Sequence, residues 1–328
     1  MPGRPPSIIG FMEASMVNTV CGAIESRELG FTLMHEHMAM VDPAMRLAFP
    51  DWFDRERFIE LSVPQLKRAR SEGVEAILDP TPISLGRNVE LIRTLSEKSG
   101  VRMMACTGLY YFDTPNVTLP DPRWLSRLFV RELTEGCEGT SIRAAAIKCA
   151  TEDEVLSDTN RCVLEASAIA SNETGAPILA HSNALNQNGL AQVELFRRMG
   201  VDFDRLVICH VDEAAGPEYA LRLLDSGAVI GFDRFGLIGR TTTERRVRIL
   251  EQLLGQGYAS RIVLGHDSHL YEDFWRPWHT EKYLPQDDTN NFHVISTRII
   301  PRLLADGIPQ RDIDAMTQTN PARLLDWR

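Results

Sequence analysis

Three observations predict an α/β protein folded as a single-domain (β/α)8 TIM barrel. Short apolar runs alternate with longer amphipathic segments from end to end of the chain. The runs are rich in Val, Ile, Leu and Ala and nearly continuous, as parallel strands covered on both faces require. Glycines stop the segments just before the next run, at Gly73, Gly100, Gly175, Gly200, Gly227 and Gly257. The unit recurs about eight times, the repeat number of that barrel. An open doubly wound sheet is the alternative, but it would normally carry a glycine-rich phosphate turn after an early strand, and no G-x-G-x-x-G is present.

The predicted strands are Phe31–His35, Ala76–Asp79, Met103–Thr107, Ala144–Cys149, Ile178–His181, Leu206–His210, Val229–Phe232 and Ile262–Leu264. The first is read as running on to His37. Between them lie predicted helices at Arg57–Ser71, Asn88–Ser99, Leu125–Glu135, Cys162–Glu173, Leu190–Met199, Tyr219–Leu224 and Thr243–Leu254, with a last one near Ile295–Ala305. No linker divides the chain, so residues 1–328 read as one domain with a short N-terminal extension to about residue 17. The long irregular stretch is Asp267 to Phe292, placed over the mouth of the barrel.

The bulk composition bounds the function. With 328 residues, 44% of them apolar and 24% charged, the chain has material for a full core. A net charge of −10 without a basic stripe excludes nucleic acid and anionic membrane as partners. Residues Met1 to Ser15 lack the apolar core of a secretory signal, and no run approaches the ~20 apolar residues of a membrane span. The six cysteines are scattered, with no Cys-x-x-Cys pair, as in reduced thiols of a cytoplasmic protein. Cys149 and Cys209 adjoin candidate site residues, and strand alternation predicts that both face the helix layer.

Chemistry-bearing residues gather at one place in each repeat. His35 and His37 close the first apolar run; side chains at i and i+2 share a strand face, so both imidazoles would project together with Glu36 turned away. Paired imidazoles suit a borderline transition metal. His181 ends Ile178–His181, His210 ends Leu206–His210, and Asp267 follows the eighth strand. Lys148 sits among alanines and Ile147 near the end of the fourth. All lie at C-terminal strand ends, where barrel enzymes keep their catalytic groups. A lysine there is costly to bury as an ammonium. Desolvation and metal charge would leave a nucleophilic amine able to add carbon dioxide and become a carbamate. The other reading is a lysine whose amine reaches out of the barrel end.

In these residues the chain resembles the phosphotriesterase family of the amidohydrolase superfamily, and within it the phosphotriesterase-like lactonases. The likeness runs from Asn18-Thr19-Val20-Cys21-Gly22 to Thr319-Asn320-Pro321-Ala322-Arg323. It includes the first-strand pattern from Gly30 to His37, Thr107-Gly108-Leu109-Tyr110, and Ile147-Lys148. The resemblance implies a hydrolase with two divalent ions, zinc best suited and cobalt, manganese or iron compatible. His35, His37 and Asp267 would hold one ion, His181 and His210 the other, and carbamylated Lys148 with a hydroxide would bridge them. Asp267 would accept the proton of the attacking water. Arg234 stands where the lactonase-like members carry arginine and the phosphotriesterases proper histidine. With Tyr110, it would bind a lactone or steady its alkoxide; Tyr110 serves equally well as pocket wall. Trp275 and Trp278 of the divergent last loop would hold an apolar tail, or simply pack that loop. The implied partner is a small molecule, an N-acyl homoserine lactone or other γ- or δ-lactone, and the implied assembly a homodimer. Phosphotriesters, carboxylic esters and amides are the alternatives, with a non-catalytic metal-binding protein behind them. His266, His269, His279 and His293 are surplus to the ligand set.

Overall fold

The computed structural model describes residues 15–111, 121–235, 237, 241–275 and 291–327. Eight parallel strands form one sheet that curls into a nearly closed barrel, each strand pairing with the next in sequence. They are β1 (Thr32–Leu33), β2 (Ala76–Asp79), β3 (Arg102–Gly108), β4 (Ala146–Ala150), β5 (Ile178–His181), β6 (Leu206–Cys209), β7 (Val229–Phe232) and β8 (Ile262–Leu264). The seam between β8 and β1 is closed by the Met34 N–H, which donates to Leu264 O at 2.9 Å. Helices α1 (Arg55–Ser71), α2 (Val89–Ser99), α3 (Pro122–Thr134), α4 (Asp158–Thr174), α5 (Gly189–Arg198), α6 (Pro217–Asp225) and α7 (Thr243–Gly255) fill the crossovers. The predicted barrel is therefore the observed one.

Local chemistry explains the boundaries. Helix α1 starts at Asp54, whose side chain accepts from Arg57 N, and α2 at Asn88, which accepts from Leu91 N. Helices α2 and α4 end on Gly100 and Gly175, both left-handed at φ 77° and 80°. Alternation along the strands sorts side chains into two cores. Met104, Cys106, Leu179, Val207, Val229 and Val263 plug the barrel interior, with Val17 and Leu29 among them. Ile147, Cys149, Ile178, Ala180, Ile208 and Ile230 pack outward under the helices.

Three expectations need correction. The first predicted strand is two pieces: after Leu33 the backbone leaves β1, and His37–Met40 forms a separate ribbon, parallel to His269–Glu272. Glu36 N bonding to Leu78 O and His37 N to Ser268 O draw the two pieces onto different neighbours. The stretch after Asp267 accordingly opens with a strand. Third, Cys209 faces the barrel interior while Cys149 faces the helices. Strand β6 keeps Val207 and Cys209 inward, and His210 joins them only because its φ of 63° breaks the alternation. Near the start of the described residues, Met16–Thr19 pairs with Gly22–Glu25 in a hairpin.

Candidate metal centre and active site

At the C-terminal rim of the barrel the inward positions change from apolar to ligating. Alternation carries Lys148 inward two residues past Ala146, His181 two past Leu179, and Asp267 four past Val263. His210 and Asp267 hold left-handed backbones, φ 63° and 55°, a conformation costing a non-glycine residue about 1–2 kcal/mol. Two of the four such residues among those described are thus predicted ligands, and the surrounding hydrogen bonds hold them there. Gly108 serves the same end: at φ 110°, a Cβ on it would lie 1.9 Å from Lys148 O. Only glycine lets β3 press against β4 there and turn Tyr110 over the rim.

The six predicted ligands come together. His37 Nε2 lies 3.3 Å and His35 Nε2 3.7 Å from Asp267 Oδ1. Lys148 Nζ is 3.0 Å from His35 Nε2, and the His210 ring is 4.7 Å from that of His35 and 4.5 Å from that of His181. All are buried. Tyr110 Oη donates to His181 Nδ1 at 3.2 Å, and Arg234 donates from Nε to Asp267 Oδ2 at 2.9 Å. Trp275 stands 6.1 Å, ring to ring, from Tyr110. Trp278 lies outside the described residues, as does His279. A cavity of about 210 Å³ opens over this floor, lined among others by Tyr111, Leu237 and His269.

The sequence reading missed the residues that orient the ligands. Asp233 accepts from His35 Nδ1 through Oδ2 and from His210 Nδ1 through Oδ1, both at 2.9 Å. Thr81 Oγ1 meets His37 Nδ1 at 2.7 Å, and Glu152 Oε2 accepts from His181 Nε2 at 3.1 Å. A carboxylate only accepts, so each imidazole facing one keeps its proton on that side and turns its lone pair inward. Asp233 was legible: it continues the inward series Val229, Gly231 of β7. His266 is structural, its Nδ1 donating to Glu36 at 2.7 Å and its Nε2 accepting from Ile295 N at 3.0 Å. Glu36 does turn away from the site.

The electrostatics match this picture. Burial, reinforced by the Lys148 charge, lowers His35 to about 4; burial lowers His181 to about 4 and His210 well below the ordinary imidazole value. The imidazoles are therefore neutral lone-pair donors. Burial pushes Asp267 up, but the Arg234 guanidinium and the neighbouring imidazoles outweigh it and hold the carboxylate well below its usual range. Burial pushes the Tyr110 phenol well above its usual value, so it is an O–H donor at neutral pH.

Residues 15–325 match the phosphotriesterase family. The chain belongs to that family. It is 31% identical to the phosphotriesterase homology protein of Mycobacterium tuberculosis, covering 94% of this chain and 97% of that one. Aryldialkylphosphatase of Saccharolobus solfataricus is 30% identical, over 92% and 97%. N-acetyltaurine hydrolase of Rattus norvegicus is 24% identical, over 95% and 98%. The solved structure of the phosphotriesterase from Mycobacterium tuberculosis superimposes with a TM-score of 0.86 at 31% identity, over 95% and 98% of the two chains. This chain is accordingly an enzyme of hydrolase type, with the barrel of its family.

The donor set fits a metal. His35, His37 and Asp267 place one ligand atom each within 4.8 Å of one another. His35, His210 and Asp233 do so as well, but both Asp233 oxygens are spent on the histidines. Among the described residues no carboxylate lies within ion-pair distance of the buried Lys148 amine, whose partner is a neutral imidazole. A carbamate there would replace a cation among nitrogen donors by an anion. No described helix is long and apolar enough to cross a membrane.

Proposed function

We propose that this enzyme is a dinuclear metal-dependent lactonase, opening N-acyl homoserine lactones or other γ- or δ-lactones, with phosphotriesters as side substrates. His35, His37 and Asp267 would hold one ion and His181 and His210 the other, His181 through Nδ1 once the Tyr110 hydroxyl lets it go and His210 through Nε2, with Lys148 as its carbamate between them. When bound, the ions supply Lewis acidity at the scissile carbonyl and acidify the water that attacks it. Asp267 accepts that water's proton, kept ionised for the purpose by Arg234. As the carbon–oxygen bond of the ring breaks, the alkoxide stays tethered to the acyl product and is a poor leaving group. Tyr110, neutral and at the cavity wall, donates its O–H to that oxygen.

The observation that carries the lactone reading is the pairing of Tyr110 on His181 with Arg234 on Asp267, one donor on each side of the cavity floor. The relatives named for phosphotriester and N-acetyltaurine hydrolysis keep ester and amide substrates as the second reading. The homodimer and a cytoplasmic setting belong to the same proposal, the first checked by analytical ultracentrifugation.

The test assays zinc-, cobalt- or manganese-reconstituted protein on acyl homoserine lactones, aliphatic lactones, paraoxon-like triesters, aryl esters and N-acyl amino acids. Lactones should lead, and Tyr110→Phe should cost them about tenfold while sparing nitrophenyl leaving groups that need no proton. Equal losses across classes, or no lactone turnover by metal-loaded protein, would move the assignment to esters or amides.

A further inference from the structure

Among the described residues the cavity holds one guanidinium, and two consecutive acids on the β6 loop decide what it does. Asp212 Oδ2 accepts from the Arg234 backbone N–H at 3.1 Å, and Glu213 Oε2 from Arg234 Nη1 at 2.6 Å. Arg234 Nε is spent on Asp267. Both acids and Arg234 are buried; burial works against the guanidinium's charge, but the Asp267 and Glu213 carboxylates outweigh it and raise Arg234 above the ordinary guanidinium range. Asp212 is itself fixed, its Oδ2 lying 2.9 Å from Arg246 Nε of α7, while Arg246 Nη1 donates to Leu237 O on the β7 loop. Arg234 is thus clamped by its backbone and by two edges of its fork, an arrangement a substrate must break to claim either edge.

Among the described residues lining the cavity, Arg234 is the one arginine or lysine. An anionic substrate group, a carboxylate or sulfonate, would have to compete with two carboxylates already in place. We propose that Glu213 is a specificity-determining residue: by holding Arg234 it denies anionic substrates their receptor and restricts the site to uncharged ones. This deepens the lactonase reading and rests on it for the substrate's position. It sets the chain apart from a taurine-amide hydrolase, whose substrate carries a permanent sulfonate.

The experiment uses N-acetyltaurine and its uncharged methyl sulfone isostere, two amides alike in size and differing in charge. Binding of each to the metal-loaded protein is read by calorimetry, alongside metal content and lactone turnover. The parent protein should bind the sulfone at least about tenfold more tightly, the scale of one uncompensated charge contact at a partly buried site. Glu213→Gln, which removes the competing negative charge from Nη1, should narrow the preference to about threefold or less. In an Arg234→Met background the Gln substitution should change nothing further, because its effect runs through the guanidinium. If Glu213→Gln does not fold, Glu213→Asp withdraws the carboxylate by one methylene and carries the same comparison. Parent protein that prefers the sulfonate, or an unchanged preference in a Glu213 variant with full metal content, overturns the inference. Absence of lactone turnover with the predicted binding preferences would instead fail the lactonase reading alone.

Discussion

The floor of the site and its rim are built on opposite plans. On the floor, the predicted ligands are buried and all but Lys148 are held from behind: Asp233 grips two histidines, Thr81 and Glu152 one each, and Arg234 grips Asp267. At the rim, Trp275 is 49% exposed, and among the described residues its ring stands 5.8 Å from Phe274 and 6.1 Å from Tyr110. Precision is concentrated where strand ends meet, and adaptability where loops leave them, as a scaffold with exchangeable loops requires.

Substitutions should separate the two plans, with the floor failing in orders of magnitude and the rim in small factors. Lys148→Ala should lower metal content from about two ions per chain and cut turnover by about 10³-fold or more, since ions supply several kcal/mol of barrier lowering. Short carboxylic acids added to the variant should restore part of the activity; full metal content and unaltered turnover would dismiss the carbamate. Asp267→Asn keeps size but removes the proposed proton acceptor, so turnover should fall by at least about 10²-fold at saturating metal. Near-normal turnover would mean that the proton leaves by another route.

Asp233→Asn tests whether the floor is held from behind. An amide offers one acceptor oxygen where the carboxylate offered two, so His35 or His210 loses its anchor. Metal affinity should drop by about 10–100-fold, measured by competition with a chelator. An unchanged affinity would show that packing alone orients the rings. The smallest effect is expected at the rim, where Trp275→Ala should raise KM for long-chain substrates by about threefold and leave kcat alone. A fall in kcat would place Trp275 with the floor.

Much of this was legible before folding because barrels reuse one local rule. Continuous apolar runs and the glycine stops locate eight strands, period-two alternation sorts their faces, and the residues at their ends name the six ligand candidates. The same rule, carried two residues further along β7, would have named Asp233. It failed at His210, where a left-handed residue ends the alternation and leaves Cys209 inside. It failed also at His35 to His37, where two short strands with different partners imitate one.

By itself, the sequence determined the architecture, the inward-facing positions and the chemical character of each, because these follow from periodicity within a few residues. Only the tertiary structure decided which imidazole nitrogen faces the centre, that His266 supports Glu36, and that Arg234 is already committed. His35 and Asp233 are 198 positions apart, and His266 and Glu36 are separated by 230. Such bonds exist only once the barrel has closed β8 onto β1, and no local pattern in a chain encodes which of its distant polar groups will meet there.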